Sequence, residues 1–263
     1  MLRACCHLVA LIAGIGMAGS VSAQQPGAAP PVPSIAVVPK PYQPVPIEST
    51  SGEEDADLTE FRQRVAAVAN KRKYAELTRL LVDTGFFWER DFSDSFDPSR
   101  AAVDNLALAL KLESKAGSGW NWLAGLAIEA ATGAMPSRPG TVCAPAPPRF
   151  DEIEFNRLLD ATNSDATDWF YPRTVGIPVR AAPATSSPLV EVLGAHFVRI
   201  VGGRPTEAAS DFSRNEWVKV ATPTAKIGFV APGLLLSATS ERLCYVRDAT
   251  GRWRISGFVG GGD

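Results

Sequence analysis

The sequence predicts an α+β protein: an N-terminal helical domain, then a small β-barrel, then a C-terminal β-hairpin that packs back on the helices. Three observations carry this. From Ile177 to Ser237, short runs rich in β-branched residues are punctuated by Pro, Gly and Ser, the pattern of a small curled sheet rather than a helix pair. Between residues 57 and 168, apolar side chains recur at the three- and four-residue spacing of helices. Beyond the sheet region, Asp248-Ala249-Thr250-Gly251 is a turn flanked by two strand-like runs.

At 263 residues the chain is long enough for two modest domains, and a hydrophobic share of 46% suits a folded protein. The formal net charge is -2, and no dense Lys/Arg cluster exists, which argues against nucleic acid as a partner.

Residues 1–23 read as a secretory signal peptide. Arg3 precedes an apolar run from Leu8 to Met17, and Val21-Ser22-Ala23-Gln24 offers a cleavage site near Ala23. The run is too short to cross about 30 Å of hydrocarbon, so no stable membrane insertion is expected after cleavage. The expected location is the periplasm or the extracellular space, and Cys5 and Cys6 leave with the signal. Residues 24–56 follow as a Pro-rich disordered linker, with Pro26, Pro30, Pro31, Pro33, Pro39, Pro41, Pro44 and Pro46. Each proline fixes φ and removes a donor, which favours a semi-extended tether.

The helical domain, 57–168, opens with Asp57-Leu58-Thr59-Glu60, read as a capping box. Leu58, Phe61, Val65 and Val68 form one apolar stripe; after Asn70 to Lys73, Tyr74, Leu77, Leu80 and Leu81 form a second, predicting an antiparallel helix pair. Asp97-Pro98 is a start signal for a helix carrying Ala102, Val103, Leu106 and Leu110 and ending by Lys115. A shorter helix spans Trp120 to Ala131, closed by Gly133 and the Pro136 to Pro148 loop, and a last one runs from Asp151 to Ala161.

Within this domain Glu89, Asp91, Asp94 and Asp97 lie close to Trp88, and carboxylates beside aromatics are what glycoside cleavage uses. Acids before a helix start also serve capping and the helix dipole. Trp120 and Trp122 suit either a sugar-stacking face or the core, and burial habits favour the core. No catalytic set emerges, so the chain reads as non-enzymatic, with no cofactor expected. His196 is the one histidine left after signal removal, which speaks against a zinc site of several His ligands. It reads as a loop or strand-edge residue.

The barrel, 174–238, places Val175, Ile177 and Val179 on one face of a first strand. Val190 to Leu193, Phe197 to Val201, Trp217 to Val220 and Gly228 to Val230 give four more, and Pro232 begins a turn. Five strands this short must curl to bury one face. The motifs V-x-V-R-x-x-P with Ile177 at the first Val, S-x-L-V-x-V-L over Ser187 to Leu193, E-W-V-K-V over Glu216 to Val220 and G-F-V over Gly228 to Val230 resemble a bacterial SH3-like domain. With the signal peptide, the helical segment and the closing G-R-W-R-I-x-x-F-V run, the whole resembles exported bacterial SH3-domain proteins of no assigned activity. That resemblance implies a peptide- or peptidoglycan-binding accessory. The polar loop Gly202 to Asn215 is longer than the compact version needs, and the matched positions are mainly core ones, so no ligand residues carry over. Trp217 reads as a ligand platform or, by the W-V-K-V alternation, as a barrel wall residue.

The hairpin and tail, 241–263, pair Arg242–Arg247 with Arg252–Val259, and Trp253, Ile255 and Phe258 need a surface to cover them. The expectation is that they return to the helices. A variant sets the hairpin beside Phe86–Phe92 in one small sheet, resembling the cone-shaped nuclear-transport-factor-like fold. Cys143 and Cys244 are the two cysteines beyond the signal, and in an oxidising compartment an even pair reads as a disulfide, the alternative being two buried thiols. The function expected is an exported binding or adaptor protein for peptide or peptidoglycan stem peptide. The alternatives are an envelope hydrolase using carboxylates near Glu89 to Asp97, or a purely structural periplasmic protein.

Overall fold

A computed structural model describes residues 40–48, 55–89, 93–129, 131–201 and 216–260. The expected signal peptide, most of the linker, Asp91, the 202–215 loop and the last three residues lie outside them. Among the described residues, five α-helices and twelve strands in two sheets form a mixed α+β structure.

Helix α1 (Ala56–Asn70) buries Leu58, Phe61, Val65 and Val68, the stripe the periodicity predicts. Its cap is Asp55 rather than Asp57: the Asp55 carboxylate accepts from Leu58 N at 2.9 Å. Asp57 therefore falls in the first turn, where both acids face Arg247 at 2.9 and 3.3 Å. Helix α2 (Tyr74–Thr78) and strand β1 (Phe87–Glu89) follow.

Asp97-Pro98 does not open a helix. Asp97 accepts from Ser99 N and Oγ at 2.8 and 2.6 Å, and Asn105 Nδ2 donates to Asp97 O at 2.8 Å. This closes a local turn, so α3 (Ala102–Ala109) begins later and ends before the expected Lys115, with Lys111 at φ 51°. After α4 (Ser118–Ala127), strands β2 (Gly133–Ala134) and β3 (Val142–Ala144) occupy ground expected to be loop. The flanking prolines keep both too short to show alternation. Helix α5 (Glu152–Thr162) is capped by Asp151, which accepts from Ile153 N and Glu154 N.

The remaining strands are β4 (Trp169–Pro172), β5 (Ile177–Arg180), β6 (Leu189–Leu193), β7 (Val198–Ile200), β8 (Val218–Ala221), β9 (Ile227–Val230), β10 (Leu235–Ser237), β11 (Arg242–Arg247) and β12 (Trp253–Val259). Five make one sheet in the order β1-β12-β11-β3-β2, with β1 parallel to β12. One face of this sheet presents Leu243, Tyr245, Ile255 and Phe258 to the core formed with α1 to α4. The other carries Phe87, Cys143 and Cys244. The hairpin β11–β12 is thus the floor of the helical core.

The second sheet runs β10-β4-β7-β8-β9-β5-β6. Phe170, Val179, Leu193, Val198, Val220, Val230 and Leu235 share one core, to which no helix contributes a buried residue. A sheet that covers its own face must curl. Strand β4 went unforeseen because Trp169, Phe170 and Tyr171 are all buried, Phe170 inward and its neighbours outward. A strand buried on both faces shows no alternation.

Among the described residues, the outer face of this sheet is covered chiefly on one half. Over β10, β4 and β7, α5 supplies Phe155 and Leu158, and the segment 40–48 supplies Val45 and Ile47. This part of the expected linker is therefore packed: Val45 is 3% exposed, and Ile47 N donates to Ala195 O at 2.9 Å. The prolines obscured its alternating apolar positions. The two halves of the body are joined at Glu129, whose carboxylate pairs with Arg173 while its carbonyl accepts from the buried Arg62. No helix among the described residues is long and apolar enough to cross a membrane.

Candidate functional site: the uncovered sheet face

Several residues singled out from the sequence are engaged within the scaffold. Glu89 accepts from Arg138 Nε at 2.7 Å, and that guanidinium lies over the Phe87 ring, 4.0 Å from its centroid. Asp97 is engaged by Ser99, whose hydroxyl and amide hold its carboxyl below the usual range. Asp94 is exposed in a short 3₁₀ turn, Ser93–Ser95, and Asp91 lies outside the described residues. Glu89 and Asp97 thus each answer to a local partner. Trp88 is buried and donates its indole N–H to Gly260 O. Trp120 is buried in the helical core, and Trp122 packs against the same core. His196 pairs with Pro46 in an isolated bridge, with Nδ1 3.0 Å from Phe197 O. Among the described residues no His, Cys, Asp or Glu cluster suits a metal ion. Cys143 and Cys244 sit at disulfide distance, Sγ to Sγ 2.05 Å.

Among the described residues, no helix or long segment covers the outer face of β8, β9, β5 and β6. Ile177 and Val179 point inward from β5, so alternation turns Pro178 and Arg180 outward. Arg180 stands opposite Leu189 on one side and Phe229 on the other, and Phe229 stands opposite Lys219. Residues directly opposite share a face. Leu189, Arg180, Phe229 and Lys219 therefore form one row across four strands.

Two local features build the row. The β5–β6 register shifts between Val179 and Arg180, pairing Val179 with Glu191 but Arg180 with Leu189. Val190 is the extra residue of this bulge, and it turns Leu189 to the outer side, where strict alternation would have placed it beside the buried Leu193. Leu189 and Val192 are accordingly 55% and 51% exposed. The second feature is Gly228, where a Cβ would meet Val179 Cγ1 at 2.4 Å and Arg180 O at 2.8 Å. Only glycine lets β9 approach β5 this closely.

The charge on the row is of one sign. Among the described residues neither Arg180 nor Lys219 forms an ion pair; Arg180 Nη1 donates to Ser187 O at 3.0 Å. The one acid on these four strands, Glu191, pairs with the inward Val179 and reaches the β8–β9 turn. There it accepts from Thr222 and Thr224 at 2.9 and 2.6 Å, with Lys226 at 3.7 Å. Trp217 lies one residue before the inward Val218, so alternation turns it to the side of Lys219, and it is half-buried.

No family model, curated protein or solved structure matches this chain. The face is then read from its own chemistry. Leu189, Phe229 and Val192 offer apolar surface to water, and Arg180 and Lys219 offer cationic donors beside it. Groups of this kind hold an extended ligand by contact and charge. The sequence motifs include all four row residues, but reading their direction required the register, and in β6 the bulge.

Proposed function

We propose that this is an exported holding protein whose curled seven-stranded sheet is an SH3-like barrel with two added strands, β4 and β10, and that the face its described residues leave open engages peptide, peptidoglycan stem peptides included. The observation that carries this is the outer face as the described residues form it: α5 and residues 40–48 cover β10, β4 and β7, whereas Leu189, Val192 and Ile227 are 55%, 51% and 42% exposed on the other strands. Apolar side chains gathered on one uncovered face are the usual mark of a docking surface. The residues 1–23 pattern and the paired Cys143 and Cys244 support export to an oxidising compartment.

The test is sedimentation of the mature protein with purified sacculi, beside binding of a soluble stem tetrapeptide. Retention by either is expected, reduced in the double variant Leu189→Ser, Val192→Ser. Protein that stays in the supernatant and ignores the tetrapeptide would exclude peptidoglycan holding. A product that stays inside the cell with residues 1–23 attached would count against export.

A further inference from the structure

We propose that the row Leu189–Arg180–Phe229–Lys219 docks an acidic, extended segment of a partner polypeptide. Two carboxylates engage Arg180 and Lys219, and an apolar side chain between them seats on Phe229. This rests on the holding role above and specifies what is held.

Charge chooses the occupant. Arg180 and Lys219 bracket Phe229 from the strands on either side of β9, and the only acid on the four strands turns to the other face. A second copy of this face would set the same two cations against each other. An acidic partner neutralises both without moving any residue already paired, since Glu191 keeps Thr222, Thr224 and Lys226.

Spacing chooses its conformation. Arg180 and Lys219 lie two strands apart, a separation of about 10 Å at neighbour distances of about 4.8 Å. A polyproline II segment repeats every three residues at about 3.1 Å each, so residues i and i+3 share one side roughly 9 Å apart. A segment of the pattern acid-x-x-acid therefore spans the two cations, and a bulky apolar residue between the acids, about a third of a turn round, reaches Phe229 from beside the row. Leu189, at the β6 end of the row, extends the apolar contact past Arg180.

The experiment uses the full exported chain and a fluorescein-labelled twelve-residue probe built from Glu-Pro-Phe-Glu units, followed by fluorescence anisotropy. Saturable binding is expected that weakens as salt rises, because exposed charge pairs are screened. The same probe with Gln for Glu should bind at least about tenfold more weakly, as expected for loss of two exposed charge pairs. Lys219→Gln and Arg180→Gln should each weaken the acidic probe about threefold to fivefold. Lys219 is the safer site, since its side chain is exposed and unpaired among the described residues. Lys219→Glu should regain affinity for a probe with Lys in place of the Glu that meets position 219, which a merely destabilised variant would not do. Equal binding of the acidic and Gln probes, or no effect of either variant, would overturn the proposal. So would no probe binding alongside capture by phosphatidylglycerol vesicles, or concentration-dependent self-association that Lys219→Glu strengthens. Sacculus retention that survives these failures removes this inference alone; loss of sacculus, tetrapeptide and probe binding together removes the holding role as well.

Discussion

Cys143 and Cys244 stand directly opposite each other across β3 and β11, with their Cα atoms 4.0 Å apart, on the sheet face turned away from the helices. They are separated by 101 residues, so a bond between them closes a long loop of the unfolded chain. Chain-entropy arguments put the stabilisation at up to about 4 to 5 kcal/mol. Cys143→Ser with Cys244→Ser should lower the unfolding free energy in urea by some fraction of that amount. Alkylation of denatured protein lacking residues 1–23, and so Cys5 and Cys6, should give no adducts without reductant and two with it. Two adducts without reductant would show that the thiols are free.

Glu129 links the two halves of the body by pairing with Arg173, and its side chain is 6% exposed against 20% for Arg173. Replacing it with Ala leaves Arg173 short of its acid in a largely desolvated place. Breaking a buried pair from one side costs about 3 kcal/mol or more, and the water still reaching Arg173 moderates that figure. A loss of about 2 to 3 kcal/mol in the urea midpoint analysis is expected for Glu129→Ala. Glu129→Ala with Arg173→Met should be less destabilised than the single variant. A neutral single variant would show that the junction does not depend on this pair.

The mixed helix-and-sheet class was legible because α1 and α5 keep strict amphipathic spacing, and Asp151 lies where a cap belongs. Other features turn on which of several nearby groups makes a contact, or on strand pairing, and residue pattern fixes neither. Asp97 looks like a helix start until Ser99 claims its carboxylate, and Asp55 displaces Asp57 because Leu58 N comes within its reach. Strand β4 is hidden by being buried on both faces. In the candidate site, Lys219 is readable as an outward position from W-V-K-V alone, whereas the same run suggests the barrel wall for Trp217, which is half-buried. Leu189 is not readable in this way, because its direction depends on a bulge that exists only once β6 is paired with β5.

Acid should destabilise the protein through its turn and cap aspartates. Asp248 accepts from Thr250 Oγ1 at 2.6 Å, from Thr250 N and Arg252 N, and from Arg254 Nε, which holds its carboxyl far below the usual range. Asp55 is lowered by Leu58 N and by Arg247. With folded values depressed, the unfolded chain takes up protons first. Their stabilisation is complete above the unfolded value near 3.9 and declines as pH falls from there towards the lower folded values. The melting temperature should hold between pH 7 and about 5 and fall below about 4, less steeply in Asp248→Asn. An unchanged slope in that variant would remove Asp248 from the account. At the alkaline end, burial pushes Tyr245 up to about 12. Its contribution is complete below the unfolded value near 10 and is lost as pH rises towards the folded one.

Gly257 is held to glycine by Phe87. A Cβ there would lie 2.3 to 2.5 Å from three atoms of the Phe87 ring, and Phe87 is itself buried beside both cysteines and under Arg138. The ring cannot swing outward without uncovering that cluster, so the added methyl must displace β1 from β12 or distort its side chain. Overpacking of this sort costs about 1 to 3 kcal/mol. Gly257→Ala should show a loss in that range, measured by urea unfolding. If the clash is the cause, Phe87→Ala makes room for the methyl, and Gly257→Ala should cost much less in that background. The resulting coupling should reach at least about 1 kcal/mol, since the two residues touch. Strict additivity would mean that the methyl is accommodated elsewhere, and that Phe87 does not fix the close approach of β1 to β12.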